Sequence, residues 1–284
     1  MTGQGIFEGM PAPLFPASPS RLLAFIDCPR RYRFAYLDRP SPLKRSQRAH
    51  TSLGNAVHNA LRDWWDQPVR TPAVGADLVE KAWIDVGFRD AAQSAHWRAR
   101  SAAAVTDYLA GVDPQAQPRG IERTVAFVTD GMKVQGRIDR LDEREGELVV
   151  VDYKTSRLPP TDDDARVSLP LALYAAAVWK MFRRPTFRVE LHHVPSGEIA
   201  QHTHTPESLG RQVDRARVIA RDAGRAEEDY RAHGAESTAF PAITGPLCGW
   251  CDFRAHCEDG QRASVEKSDW AALEESVPAT IERG

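Results

Sequence analysis

Residues 133–155 read KVQGRIDRLDEREGELVVVDYKT, and this stretch decides the fold. Residues 133–141 and 147–155 have the β-branched, extended character of strands, and the charged turn Asp142-Glu143-Arg144-Glu145-Gly146 joins them as a hairpin. The apolar run 148–151, bounded by charges, predicts a buried strand. Side chains alternate along a strand, so Asp152 and Lys154 share a face. The neighbouring strand, carrying Gly136-Arg137-Ile138-Asp139, brings Asp139 toward them. Two hard oxygen donors and an ammonium at the end of a buried strand suit Mg²⁺ or Mn²⁺. Such a cation polarises a phosphodiester, while a lysine orients the attacking water or stabilises charge developing on the phosphate. Taken alone, Asp-x-Lys on one strand face is more often a surface ion pair of small worth.

Outward from the hairpin, residues 125–128 predict a third strand, and 187–193 with 199–204 a late strand pair around Pro195-Ser196-Gly197. Helices are predicted over 168–182 and from 207 to about 232. Before the sheet the chain reads as mostly helical. Ser18-Pro19 is an N-cap followed by proline at the first helical position, and Pro29 breaks that helix beside Cys28. Leu53, Val57, Leu61 and Trp64 form an apolar stripe with His58 beside it, and further helices are expected over 77–91 and 97–109. Residues 1–17 are expected to be loose. Residues 18–260 form one domain: a helical part over 18–115, a sheet core over 121–205 and a closing segment over 240–260. Residues 261–284 make a polar tail, weakly ordered unless Trp270 or Leu273 docks it.

All four cysteines of the chain fall into one pattern: Cys28 stands alone, and Cys248, Cys251 and Cys257 form a C-terminal trio. Four thiolates close a site only if the chain ends meet. Two disulfides need an oxidising compartment, and the N-terminus MTGQGIFEGMPAPLFPASPS has neither a basic n-region nor an apolar h-region, so a cytoplasmic location is expected. Four unrelated buried cysteines are the bland alternative. Zinc usually takes two short cysteine pairs, whereas here one C-x2-C is followed by a lone cysteine and another far upstream, which favours iron–sulfur.

At 284 residues and 42% hydrophobic composition the chain has room for an enzyme core. No apolar run approaches the ~20 residues needed to span a bilayer. A net charge of −2 means that any polyanion is met by local patches and cations rather than by a global field. One such patch is Arg30, Arg31, Tyr32 and Arg33, where charge interleaves with aromatic rings. On its own it reads first as an ordinary amphipathic helix and second as a nucleic-acid contact. There is no Gly-x-x-x-x-Gly-Lys-Ser/Thr phosphate loop, so a motor would be a separate subunit, and no Gly-x-Ser-x-Gly elbow. The histidines at 192, 193, 202 and 204 are read as a solvated strand surface rather than a second metal site. His58 alone reads as a half-buried helix histidine, and Glu122 as a strand-start surface charge.

The order of Cys28, Leu53-Gly54-Asn55-Ala56-Val57-His58, Gly136-Arg137-Ile138-Asp139, Asp152-Tyr153-Lys154 and the cysteine trio resembles the RecB-like branch of the PD-(D/E)xK nucleases. That branch includes the nuclease domains of RecB and AddB type repair enzymes and CRISPR-associated exonucleases with a four-cysteine cluster. The resemblance covers roughly residues 18–260 and implies an α/β restriction-endonuclease-like core: a central mixed sheet flanked by helices, with an N-terminal helical segment and an iron–sulfur staple joining the chain ends. It implies a metal-dependent DNase, an exonuclease on single-stranded or free-ended DNA in repair or defence, working beside a separate helicase or CRISPR partner. His58, Asp139 and Asp152 then resemble the metal ligands, the Tyr153 carbonyl a further ligand, and Lys154 the catalytic lysine. Cys28, Cys248, Cys251 and Cys257 resemble the ligands of a [4Fe-4S] cluster. The family's Gln-x-x-x-Tyr motif is kept only at Tyr174, with Pro170 where glutamine is expected, so an amide that helps orient substrate is missing. The competing readings are a non-catalytic DNA-binding or partner-binding subunit and a zinc-stapled structural module.

Overall fold

The structure, a computed structural model, describes residues 14–274. Six strands form one mixed sheet: β1 (Phe15–Ala17), β2 (Gly120–Thr129), β3 (Met132–Arg144), β4 (Glu147–Lys154), β5 (Arg188–His193) and β6 (Ile199–Thr203). β2 and β4 lie antiparallel on β3, β5 lies parallel to β4, and β6 closes the far edge antiparallel to β5. β3 pairs β4 only over Arg140–Arg144, and the vacated edge near Met132 pairs in parallel with β1. Residues 15–17, expected to be loose, are therefore an edge strand, because the long β3 outruns β4 and leaves backbone donors and acceptors to satisfy.

Helices cover both faces. On one, α1 (Pro19–Asp27), α7 (Leu169–Phe182) and α8 (Pro206–His233) pack against Leu148, Val150, Val189 and their neighbours. On the other, α3 (Ala49–Trp64), α4 (Pro72–Ala82) and α5 (Ala91–Ala110) cover Val149, Val151 and Tyr153. β4 is buried on both sides, as its unbroken apolar run requires. The fold is the expected one, a central mixed sheet flanked by helices.

Local signals explain most boundaries. Ser18 Oγ accepts from the Arg21 amide at 3.2 Å, capping α1. Cys28, held extended before Pro29, separates α1 from α2 (Pro29–Tyr36). The helix expected over 77–91 instead stops at Ala82, and α5 starts at Ala91 with Asp90 as its cap. Between them Gly87 takes φ +86°, where an added Cβ would lie 2.4 Å from the Ala49 amide, so the chain must leave the helix to pass under α3. A short α6 (Asp162–Val167) was not expected; Thr161 and Asp164 form its capping box.

The polar tail also docks in part. α9 (Glu258–Ala263) extends past Gly260, Arg45 pairs with Glu266 at 2.6 Å and with Asp269 at 2.8 Å, and Trp97 Nε1 donates to the Leu273 carbonyl at 3.1 Å. Residues 1–13 and 275–284 lie outside the described residues. Among the described residues no helix is long and apolar enough to cross a membrane.

The late histidines are not a solvated surface. His192, His193 and His204 are buried: Tyr108 of α5 meets His192, Ser196 and the Ser156 carbonyl hold His193, and Ser208 of α8 meets His204. His204 Nδ1 meets Ser208 Oγ at 3.1 Å and its ring stands edge-on to His202 at 4.6 Å. Burial, aided by His202, pushes its pKa from the usual 6.5 down to about 4. With the folded value below the unfolded one, the unfolded chain takes the proton first as pH falls. Stability is therefore full above pH 6.5 and drains away toward pH 4. The melting temperature is expected to drop by several degrees across that window, and His204→Leu to flatten the slope, as read by thermal denaturation at stepped pH.

Candidate active site

The β3–β4 ladder runs from Arg144 opposite Glu147 to Arg140 opposite Val151 and stops there. The next two residues in register are Asp139 and Asp152, so the strands part at the two carboxylates. Asp139 Oδ2 accepts from the Tyr153 amide at 2.8 Å across the opening, and Lys154 Nζ lies 2.5 Å from Asp152 Oδ2. α3 crosses this end of the sheet closely, since a Cβ at Gly54 would sit 3.3 Å from Thr155 Oγ1. One turn later His58 Nδ1 comes within 3.4 Å of Asp139 Oδ2, its ring edge-on to Tyr153 with centroids 5.9 Å apart. The glycine of Leu53-Gly54-Asn55-Ala56-Val57-His58 thus permits the approach, and the histidine uses it.

Glu122 completes the group. Among the described residues, His58, Glu122 and Asp139 are the three side chains whose ligand atoms all lie within 4.8 Å of one another. Asp152 stands outside that trio, on the other arm of the fork beside Lys154. Sequence reading treated Glu122 as a surface charge, and simple alternation could not have found it. On β2, Val125 and Phe127 pack in the α7-side core while Ile121 packs on the opposite side, although all three are odd-numbered. The phase changes at Glu122, whose φ of +46° is left-handed. A non-glycine residue there costs about 1–3 kcal/mol and persists only where its surroundings hold it. β3 changes phase opposite, since Ile138 and Leu141 share the α7-side core.

Charge is crowded here. Burial raises the Glu122 pKa, Arg137 at 2.7 Å opposes that, and Asp139 adds to it. Burial likewise raises Asp152, with Lys154 opposing and Asp139 reinforcing. Burial disfavours the His58 imidazolium, but the Asp139 hydrogen bond and charge outweigh it and leave its pKa raised. Asp152 Oδ2 is buried, with the Lys154 ammonium as its partner. A divalent cation fits this donor set: one imidazole and several carboxylates, acids that repel one another. A cleft of about 540 Å³ is lined by His58, Glu122 and Asp139 together with Ser18, Asn55, Asn59, Arg137 and Tyr174.

Tyr174 reaches the cleft from α7 because Gly136 has no side chain; a Cβ there would lie 2.4 Å from Tyr174 Cε1. Burial, then the charges of Asp152 and Asp139, push the Tyr174 pKa up to about 12, so it is a phenol at neutral pH. Pro170 occupies the first turn of α7, after the Ser168 cap, where its missing N–H costs nothing. Gly136→Ala is expected to displace the ring and destabilise the fold by about 1–3 kcal/mol, measured by urea unfolding.

The four cysteines come together at one place in the fold. Cys28, Cys248, Cys251 and Cys257 line one small pocket, all as free thiols. The Gly260 amide donates to Cys257 Sγ at 3.4 Å, and Phe34 and Phe253 pack beside Cys257. Burial raises the Cys251 thiol pKa, against the Phe253 amide and the Arg31 charge. The four residues proposed for DNA contact fare differently. Tyr32 is 0% exposed, stacked near Phe240 and bonded through its hydroxyl to Glu227, so it cannot stack on a base. Arg33 is spent on Asp38 at 2.9 Å and Arg30 on the Phe240 carbonyl at 2.9 Å. Arg31 alone of the four keeps an outward guanidinium, its side chain 43% exposed. The interleaved pattern belongs to an amphipathic helix that turns Tyr32 and Tyr36 toward α8 and Phe34 toward Phe253.

The model of the PD-(D/E)XK nuclease superfamily matches residues 16–258, and the chain belongs to that superfamily of hydrolases. Asp152-Tyr153-Lys154 has the D-x-K form of the family name, and Ile138-Asp139 stands where the name has Pro-Asp. Among solved structures, an exonuclease candidate from Eubacterium rectale is 10% identical with a TM-score of 0.45, covering 74% of this chain and 80% of its own. A protein designated SSO0001 is 15% identical with a TM-score of 0.29, covering 72% and 84%. No curated protein matches the chain significantly.

Proposed function

We propose that the protein is a divalent-cation-dependent deoxyribonuclease of the RecB-like branch, an exonuclease on single-stranded or free-ended DNA, with a structural [4Fe-4S] cluster. The observation that carries this reading is the His58–Glu122–Asp139 group set beside the Asp152–Lys154 pair at the fork of β3 and β4. His58, Glu122 and Asp139 hold the cation, with Asp152 and the Tyr153 carbonyl as further oxygens. Bound there, Mg²⁺ or Mn²⁺ supplies Lewis-acid charge beside the scissile phosphate. Lys154 orients the attacking water and stabilises charge on the phosphate, and the neutral Tyr174 hydroxyl donates to the substrate. Arg137, its side chain 69% exposed at the rim, meets the DNA backbone.

The branch, the preference for DNA ends, and a role in repair or defence beside a separate helicase rest on the motif order. The cluster rests on the convergence of the four free thiols. End-labelled single- and double-stranded DNA incubated with Mg²⁺ or Mn²⁺ tests the activity. Metal-dependent shortening from an end is expected; binding without cleavage would instead establish a non-catalytic DNA-binding subunit.

A further inference from the structure

The residue after each fork aspartate reaches its counterpart on the α3–α5 side of the sheet. Arg140 follows Asp139, Tyr153 follows Asp152, and Arg140 Nη1 donates to the Tyr153 hydroxyl at 3.0 Å. Both residues are 4% exposed. This contact stands just beyond the last rung of the ladder, Arg140 opposite Val151, where main-chain pairing no longer holds the strands together. Arg140 is itself braced, by Asp142 at 2.9 Å, by the Tyr108 hydroxyl at 3.3 Å and by the Trp65 ring at 5.4 Å. Tyr153 in turn touches the site three ways. Its amide donates to Asp139 at 2.8 Å, its ring flanks His58 at 5.9 Å, and its main chain carries Asp152.

We infer that Arg140 and the Tyr153 hydroxyl form a clasp that sets the spacing of the two aspartate arms, acting as positioning residues for the cation site. A buried charge held mainly by one acid is a poor way to gain stability, since desolvation offsets most of the attraction and apolar residues would hold the strands as well. Its geometry does what apolar packing cannot: a directional bond ties the two ligand-bearing strands where they diverge. Groups that orient ligands in this way typically change metal affinity 10–100-fold when removed.

The inference rests on the cation reading, so the test measures Mn²⁺ binding itself, by calorimetry and by the EPR signal of free Mn²⁺, with melting temperature in parallel. Tyr153→Phe keeps the ring and removes the clasp; it is expected to weaken Mn²⁺ binding about tenfold or more. Tyr108→Phe removes a hydroxyl from the same guanidinium, but one carried by α5 rather than by a ligand strand. It is expected to lower the melting temperature comparably and leave Mn²⁺ affinity unchanged. Parent-like Mn²⁺ binding by Tyr153→Phe overturns the clasp, as does an equal loss of affinity in Tyr108→Phe. A parent protein that binds no Mn²⁺ overturns the cation reading and the clasp with it, a result distinct from both.

Discussion

Replacing Lys154 with alanine is expected to lower Mg²⁺- or Mn²⁺-dependent DNA cleavage by about 10³-fold while the protein stays folded. The ammonium lies 2.5 Å from Asp152 Oδ2, where the proposed reaction places the scissile phosphate, and its side chain is 42% exposed. Exposure means that truncation removes little packing, so the melting temperature should move by no more than a few degrees. The loss should fall on kcat rather than KM, because charge on the phosphate is greatest in the transition state. Lys154→Arg should restore little, since a planar guanidinium cannot sit as a point charge on the same oxygen. Single-turnover cleavage of end-labelled DNA measures all three. If Lys154→Ala cleaves as the parent does, the assignment of the lysine is wrong.

Cys251→Ser is expected to abolish absorbance near 400 nm and lower the melting temperature by about 10–15 °C in anaerobically purified protein. The magnitude follows from loop closure. Joining Cys28 to the trio closes about 220 residues, and a cross-link of that span constrains the unfolded chain by roughly 5 kcal/mol. Each kcal/mol shifts a domain of this size by about 2–4 °C. Other bonds also join the ends, among them Arg45–Glu266 at 2.6 Å and Trp97 to the Leu273 carbonyl at 3.1 Å, which keeps the expected loss from being larger. Zinc in place of the cluster would leave the protein colourless yet just as sensitive to the substitution. An unchanged melting temperature would show that the thiols staple nothing.

Much of the scaffold was legible because its signals are local. The apolar run of β4, the turn after β3, Ser18-Pro19 and Pro29 each act within a few residues, and the structure places elements where they point. The failures share a cause as well. The helix expected over 77–91 is cut by Gly87, whose conformation answers to α3, and residues 15–17 become a strand because β3 leaves an edge open. Tyr32 reads the same on a helix whether its ring faces α8 or DNA, and only the packing partner distinguishes the two.

The residue types and spacing of the chain determined its sheet core and its superfamily motif, since each depends on chemistry carried by neighbours in sequence. Tertiary structure decided which acids meet. Glu122 joins His58 and Asp139 because β2 reverses its phase at a left-handed residue, while Asp152 falls on the other arm because the β3–β4 ladder ends one pair short of it. A two-residue strand period predicts faces, not the place where paired strands part. That place is set by what packs against them, here α3 on one side and Tyr174 over Gly136 on the other.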